Sequence, residues 1–204
     1  MSDFQHSLSQ HASGGGPFRL KKTVVMVGMM GAGKTAVGRA LAARLAVPFL
    51  DSDAEIEAAA NMSVPEIFAR DGEPFFRARE REVIGRLLDR ACGVLSTGGG
   101  AFLDAETRAM VSARGVSVWL NADLDLLWNR VRHRDTRPLL RTPDPKTTLR
   151  NLYDARVPYY AQADLAVDCV ARLSIEAMAQ RVIDTLLTRP DVLERREPSE
   201  DEND

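Results

Sequence analysis

The chain has 204 residues, enough for one α/β domain with a sizeable core and too few for two full ones. Apolar residues make up 45% and charged residues 27%, the balance of a globular protein, and a net charge of −2 offers no general attraction to nucleic acid or to an anionic membrane. No apolar stretch approaches the roughly 20 residues of a membrane span, and the N-terminus lacks the apolar core of a secretory signal, so the expected setting is the cytoplasm.

Residues 1–19 are polar, contain Ser13-Gly14-Gly15-Gly16-Pro17 and show no sustained period; they read as a disordered leader. A first strand is expected at 23–27, where Val24-Val25-Met26-Val27 runs directly into Gly28-Met29-Met30-Gly31-Ala32-Gly33-Lys34-Thr35. That octapeptide fits the phosphate-loop pattern G-x-x-x-x-G-K-[ST] in its proper place, between a strand and a helix. Glycines keep side chains away so that backbone N–H groups and the positive end of the following helix can face phosphate oxygens. Lys34 is then placed to neutralise the β- and γ-phosphates and Thr35 to hold Mg²⁺. A plain glycine-rich turn has no need of Lys-Thr at these positions. Val37, Leu41 and Leu45 give the helix that follows an apolar stripe.

A second strand, 48–51, ends in Asp51-Ser52-Asp53, at the sheet edge where open parallel sheets place their ligands. Continued alternation would send both carboxylates the same way, one toward Mg²⁺ and the other toward an acceptor hydroxyl. Equally, Asp53 could simply cap a helix starting near Ala54. Over 73–90 the stripe Phe76, Val83, Ile84, Leu87 and Leu88 predicts a helix. Arg77 near its start opposes the helix dipole, which points to an anionic partner; that partner is either a substrate or the intrahelical Glu73 and Glu80. A third strand, 94–97, leads into Gly98-Gly99-Gly100, three glycines where a tight turn needs one. This strand carries no Walker-B carboxylate, which leaves Asp51 as the candidate near the metal.

A strand at 116–120 and a helix at 123–132, with Leu124, Leu127, Trp128 and Val131 on one face, precede a segment that cannot be one regular helix. Residues 133–147 carry Arg134, Arg137 and Arg141 among Pro138, Pro143 and Pro145, and read as a mobile basic lid over a phosphoryl group, against the alternative of a solvated connection. Arg156-Val157-Pro158-Tyr159-Tyr160 closes the next helix, where an arginine suits the dipole by itself. A strand at 165–169 and a helix at 174–188, striped by Ile175, Met178, Val182 and Leu186, complete a domain expected over 20–189. Strands alternating with helical patterns place the chain in the α/β class with a parallel sheet. Cys92 and Cys169 have no metal-ligand spacing and are expected as buried, reduced thiols. Residues 190–204 end in Glu200-Asp201-Glu202-Asn203-Asp204 and read as a solvated, disordered tail.

Taken in order, these motifs resemble the shikimate kinase family: G-x-x-G-x-G-K-T-x-V-G-R at 28–39, Asp-x-Asp at 51–53, G-E-x-x-F-R-x-x-E at 72–80, the triple glycine at 98–100, R-P-L-L at 137–140 and R-x-P-x-Y at 156–160. The resemblance implies a three-layer P-loop kinase fold, with a five-stranded parallel sheet of order 2-3-1-4-5 and helices on both faces. It implies transfer of the γ-phosphoryl of MgATP to the 3-hydroxyl of shikimate, by a monomer without nucleic-acid or membrane partners. It also implies residue roles. Gly31, Ala32, Gly33, Lys34, Thr35 and Ala36 form the ATP phosphate loop, with Ala36 standing where the family more often has a hydroxyl. Thr35 and Asp51 serve Mg²⁺, Asp53 is the base and ring-hydroxyl ligand, and Arg77 and Arg156 grip the shikimate carboxylate. Gly98, Gly99 and Gly100 face the acceptor, Arg137 reaches the transferring phosphoryl, and Arg130 and Arg172 lie at the adenine side. Rival readings are a gluconate or nucleoside monophosphate kinase, or a non-catalytic nucleotide-binding regulator.

Overall fold

In the computed structural model, which describes residues 16–90, 92–132 and 138–196, the chain runs through fourteen helices and strands. In order they are β1 (Phe18–Leu20), β2 (Thr23–Val27), α1 (Lys34–Leu45), β3 (Phe49–Asp51), α2 (Ser52–Ala60), α3 (Val64–Leu88), β4 (Val94–Ser96), α4 (Ala105–Arg114), β5 (Gly115–Asn121), α5 (Leu124–Val131), α6 (Pro145–Tyr160), β6 (Leu165–Asp168), α7 (Ile175–Leu186) and β7 (Leu193–Arg195). Five strands form one parallel sheet in the order β3-β4-β2-β5-β6. This is the expected 2-3-1-4-5 arrangement of the five predicted strands.

Every residue of β2 is buried, so both faces of the central strand are covered by helices, and its unbroken apolar run is the sequence mark of that position. α1 and α7 pack together beside it. Because all five strands run the same way, the loop after β2, the start of α2 and the glycine turn after β4 share the carboxyl edge of the sheet.

The helix expected at 73–90 is the second limb of α3, which is broken at Gly72 (φ 82°, ψ 168°), two residues before Pro74. The first limb starts at a capping box in which Ser63 N and Oγ both donate to Glu66. Of the expected lid, residues 133–137, including Arg134 and Arg137, lie outside the described residues. The remainder is more regular than its prolines suggested: Pro138–Leu140 form a 3₁₀ turn that buries Leu140, and Asp144 caps α6 through Thr147 N.

The folded unit extends past the boundaries at 20 and 189. Phe18–Leu20 pairs antiparallel with Leu193–Arg195, tied by Lys21–Glu194 and Lys22–Asp191 ion pairs, while Val192 and Leu193 are buried in the main core. Three-residue strands are too short to show a period, which is why composition alone assigned them to the tails. The expectations for residues 1–15 and 197–204 lie outside the described residues. Cys169 is buried as expected, but Cys92 is only half-buried, its thiol directed at the Lys21 carbonyl; both are free thiols. No helix among the described residues is long and apolar enough to cross a membrane.

Candidate active site

α1 begins at Lys34 because Gly33 adopts a left-handed conformation (φ 99°, ψ 16°) that a side chain would disfavour. The loop thereby turns into the helix within one residue, and Lys34 and Thr35 occupy its first turn. Lys34 Nζ donates to the carbonyls of Gly28 (2.8 Å) and Met29 (3.1 Å), along the inner rim of the loop. Thr35 Oγ1 stands 3.4 Å from Asp51 Oδ2 and 3.3 Å from Ser96 Oγ, which groups three oxygen donors from three elements.

The two aspartates divide their work differently from the sequence expectation. β3 ends at Asp51, and Asp51, not Asp53, caps α2, its Oδ1 accepting from the N–H groups of Asp53 (3.1 Å) and Ala54 (3.3 Å). Asp53 thus lies in the first helical turn, where strand alternation does not apply, and its side chain is released from capping. Both still line one cavity of about 460 Å³ that runs from the phosphate loop to Gly98 and Gly99. Burial raises the Asp53 pKa above the usual carboxylate range, Asp51 adds to the rise, and Lys34 opposes it.

The acceptor end is built around the glycine turn. A Cβ at Gly98 would lie 2.8 Å from both Asp53 Oδ1 and Glu80 Oε1, so the absence of a side chain is what lets two carboxylates converge there. Glu80 is 2% exposed; its Oε2 accepts from Arg77 Nη1 at 2.6 Å, while Oε1 has no hydrogen-bond partner among the described residues. Burial pushes the Glu80 carboxyl up to about 7, with Arg77 pulling the other way. Arg77 also pairs with Glu73 at 3.1 Å, so the intrahelical ion pairs weighed from the sequence do form. The same guanidinium fills the space a side chain at Gly100 would need, which puts it on the turn as well as on its helix. From α6, Arg156 Nη1 comes within 3.6 Å of the Cβ position of Gly99, and the buried Tyr160 hydroxyl donates to the Gly99 carbonyl.

Arg130, on α5, donates to the carbonyls of Gly31 and Ala32 on the phosphate loop. Arg172 is exposed in a turn, and this stretch of chain lines the cavity instead through Leu173, Ser174 and Ile175, joined by Met178 of α7. Leu173, Ile175 and Met178 were missed because Ile175 and Met178 belong to the stripe that reads as core; in the structure Ile175, at the helix start, is 46% exposed. Tyr160 and Ser96 were also missed as site residues. Arg137 lies outside the described residues.

A phosphate loop and a carboxylate-bearing glycine turn, facing one cavity at the carboxyl edge of a parallel sheet, define a P-loop kinase of a small molecule. A family model of shikimate kinase matches residues 30–187. The chain is 68% identical over 194 residues to a shikimate kinase of Ruegeria pomeroyi, spanning 95% of this chain and 99% of that one. It is 66% identical over 179 residues to a shikimate kinase of Cereibacter sphaeroides, spanning 88% and 89%. Among solved structures, shikimate kinase from Acinetobacter baumannii in complex with shikimate superposes with a TM-score of 0.77 at 38% identity, covering 82% of this chain and 93% of that one. The chain belongs to the shikimate kinase family. Its activity is the ATP-dependent phosphorylation of shikimate at the 3-hydroxyl, a step toward the aromatic amino acids, and the readings as a gluconate or nucleoside monophosphate kinase or an idle regulator give way.

Proposed function

We propose that shikimate lies on the Gly98–Gly100 turn between Arg77 and Arg156, with its 3-hydroxyl at Asp53 and facing the phosphate loop. The observation that carries this reading is the convergence of Asp53, Arg77 and Arg156 on the three successive glycines. Two guanidinium groups from different helices, at adjacent glycines, suit one planar carboxylate, and Glu73 and Glu80 hold Arg77 on its helix beside the turn.

Phosphoryl transfer asks mainly for alignment and charge neutralisation. Residues 31–36 hold the phosphates of ATP through backbone N–H groups, and Lys34 supplies positive charge at the β- and γ-phosphates. Arg137, from the expected lid, supplies a second cation in this scheme. Asp53 orients the acceptor hydroxyl and takes its proton as the oxygen bonds to phosphorus; its raised pKa makes it a better proton acceptor than an exposed aspartate. Arg130 stands at the base-side wall, together with Leu173 and Ile175 as the apolar contacts, in place of Arg172.

The hydroxyls of Thr35 and Ser96 and the carboxylate of Asp51 form an all-oxygen group suited to Mg²⁺. Mg²⁺ takes few protein ligands and fills its shell with water and phosphate oxygens. When bound, it would neutralise phosphate charge. Both half-sites come from one chain, which supports a monomer, and the net charge of −2 supports the reading without a nucleic-acid or anionic membrane partner; the expected setting stays the cytoplasm.

Steady-state kinetics of Arg77→Ala and Arg156→Ala test the clamp. Each should raise the KM for shikimate by about 10- to 100-fold, the worth of a charge-assisted hydrogen bond, with the KM for ATP within about twofold of wild type. An unaltered shikimate KM in both variants removes the carboxylate assignment.

A further inference from the structure

Arg130 projects from the last turn of α5 and places a single guanidinium nitrogen, Nη1, 3.2 Å from the Gly31 carbonyl and 3.1 Å from the Ala32 carbonyl. A peptide unit is planar and trans, so a carbonyl fixed in direction fixes the N–H on the other side of the same unit. Holding the Ala32 carbonyl sets the N–H of Gly33, the residue that caps α1 and lines the nucleotide cavity. Holding the Gly31 carbonyl sets the N–H of Ala32, which closes a turn onto the Met29 carbonyl at 3.2 Å. The rest of α5 presses on the same point: a Cβ at Gly31 would lie 2.7 Å from Val131 Cγ1. On the other side the buried Cys169 thiol makes a weak contact to Ala32 O at 3.9 Å. Lys34 holds the Gly28 and Met29 carbonyls at the start of the loop, but the Gly31 and Ala32 carbonyls lie beyond it, and Gly31 and Gly33 carry no side chains to restrain peptide units that reorient easily. An anion-binding loop works best when its N–H groups are aimed before the anion arrives.

We propose that Arg130 is a positioning residue of the phosphate loop, acting through the Gly31 and Ala32 carbonyls to hold the loop in its anion-binding shape whether or not a nucleotide base is attached. The role goes beyond contact with the base and rests on the reading of residues 31–36 as the polyphosphate site.

The test compares wild type, Arg130→Ala and Arg130→Gln by calorimetric titration with ATP and with inorganic tripolyphosphate, both with Mg²⁺. Amide NMR spectra of the ligand-free proteins at Ala32 and Gly33 are recorded alongside, with fold verified from the thermal midpoint. The expected result is that ATP and tripolyphosphate weaken by a similar factor, about tenfold, and that the two amides shift and exchange faster in the variants. Weaker ATP with unchanged tripolyphosphate would reduce Arg130 to a base contact and overturn the proposal. So would weaker binding of both with unmoved amides, which would make it a plain charge. Wild-type binding with unaltered variants removes only the Arg130 role, whereas a wild type that binds neither ligand removes the polyphosphate reading itself. Arg130→Gln keeps a polar side chain and gives the same comparison should the alanine variant fold poorly.

Discussion

At the scale of single residues, the decisive feature is how the carboxylates of the cleft are differentiated by their surroundings. Asp51 is occupied by the α2 cap and by Thr35, whereas Asp53 is turned into the cavity and its pKa is raised by burial and by Asp51. Asp53→Asn should lower kcat by roughly 10²- to 10⁴-fold while the dissociation constant of ATP stays within about threefold, as rapid-quench and calorimetric measurements would show. Turnover close to wild type would take Asp53 out of the chemistry. Glu80 makes a prediction about stability. Its folded pKa of about 7 lies above the ordinary 4.5, so the folded state holds the extra proton between those values. The associated stabilisation is complete below about pH 4.5 and is lost as pH rises through about 7, an effect on the order of 3 kcal/mol. Urea denaturation at pH 5 and pH 8 should show a loss of stability for wild type across that window that is absent in Glu80→Gln; equal slopes in both proteins would contradict it. Most of this site was legible in the sequence, because Lys34, Thr35, Asp53, Arg77, Gly98 and Arg156 are polar or glycine residues at spacings that packing does not require. Capping by Asp53 was left open as an alternative, and the structure gives the cap to Asp51, because both aspartates adjoin the same helical run and only the point where the strand ends distinguishes them. The base-side wall was illegible for a different reason: Leu173, Ile175 and Met178 are chemically indistinguishable from core.

At the scale of elements, the break at Gly72 sets the arm that carries Arg77. With φ 82° and ψ 168°, Gly72 occupies a region essentially reserved for glycine, and it joins a first limb packed through Ile67 to a second that buries Phe76 and Ile84. Gly72→Ala should cost about 1–3 kcal/mol and, by redirecting the second limb, raise the KM for shikimate more than that for ATP. Differential scanning calorimetry beside steady-state kinetics would reveal it, and a variant with unchanged midpoint and unchanged KM values would show that the break is not required. The periodic stripes placed α1, α5, α7 and the second limb of α3 correctly, since each buries a continuous apolar face. α4 escaped notice because among its ten residues only Thr107 and Val111 are buried, too few to make a stripe. The limb before Gly72 escaped because its apolar contacts belong to the small separate cluster of Ile56, Ile67 and Phe76 rather than to the main core.

At the scale of the whole molecule, the two halves of the proposed site lie on different flanks of β2. The groups proposed for the acceptor come from the β3–β4 flank, joined by Arg156 and Tyr160 of α6, and those proposed for the base come from α5 and the loop after β6. The ribbon of β1 and β7 stands apart from this machinery and anchors to the core through the buried Val192 and Leu193. Deleting residues 1–20 should therefore lower stability by about 1–3 kcal/mol, from apolar area returned to water, and leave both KM values within about twofold. A large change in either constant with an unchanged thermal midpoint would show that the ribbon serves catalysis instead. The same ribbon brings Arg196 N to within 3.0 Å of the Pro17 carbonyl, so the described residues begin and end at one point. Topologically residues 16–196 make a nearly closed ring. Its order of synthesis is then separable from its architecture: a short bridge between residues 196 and 16, with new ends opened in the exposed turn at 170–172, would yield a permuted chain with the same sheet and the same cleft.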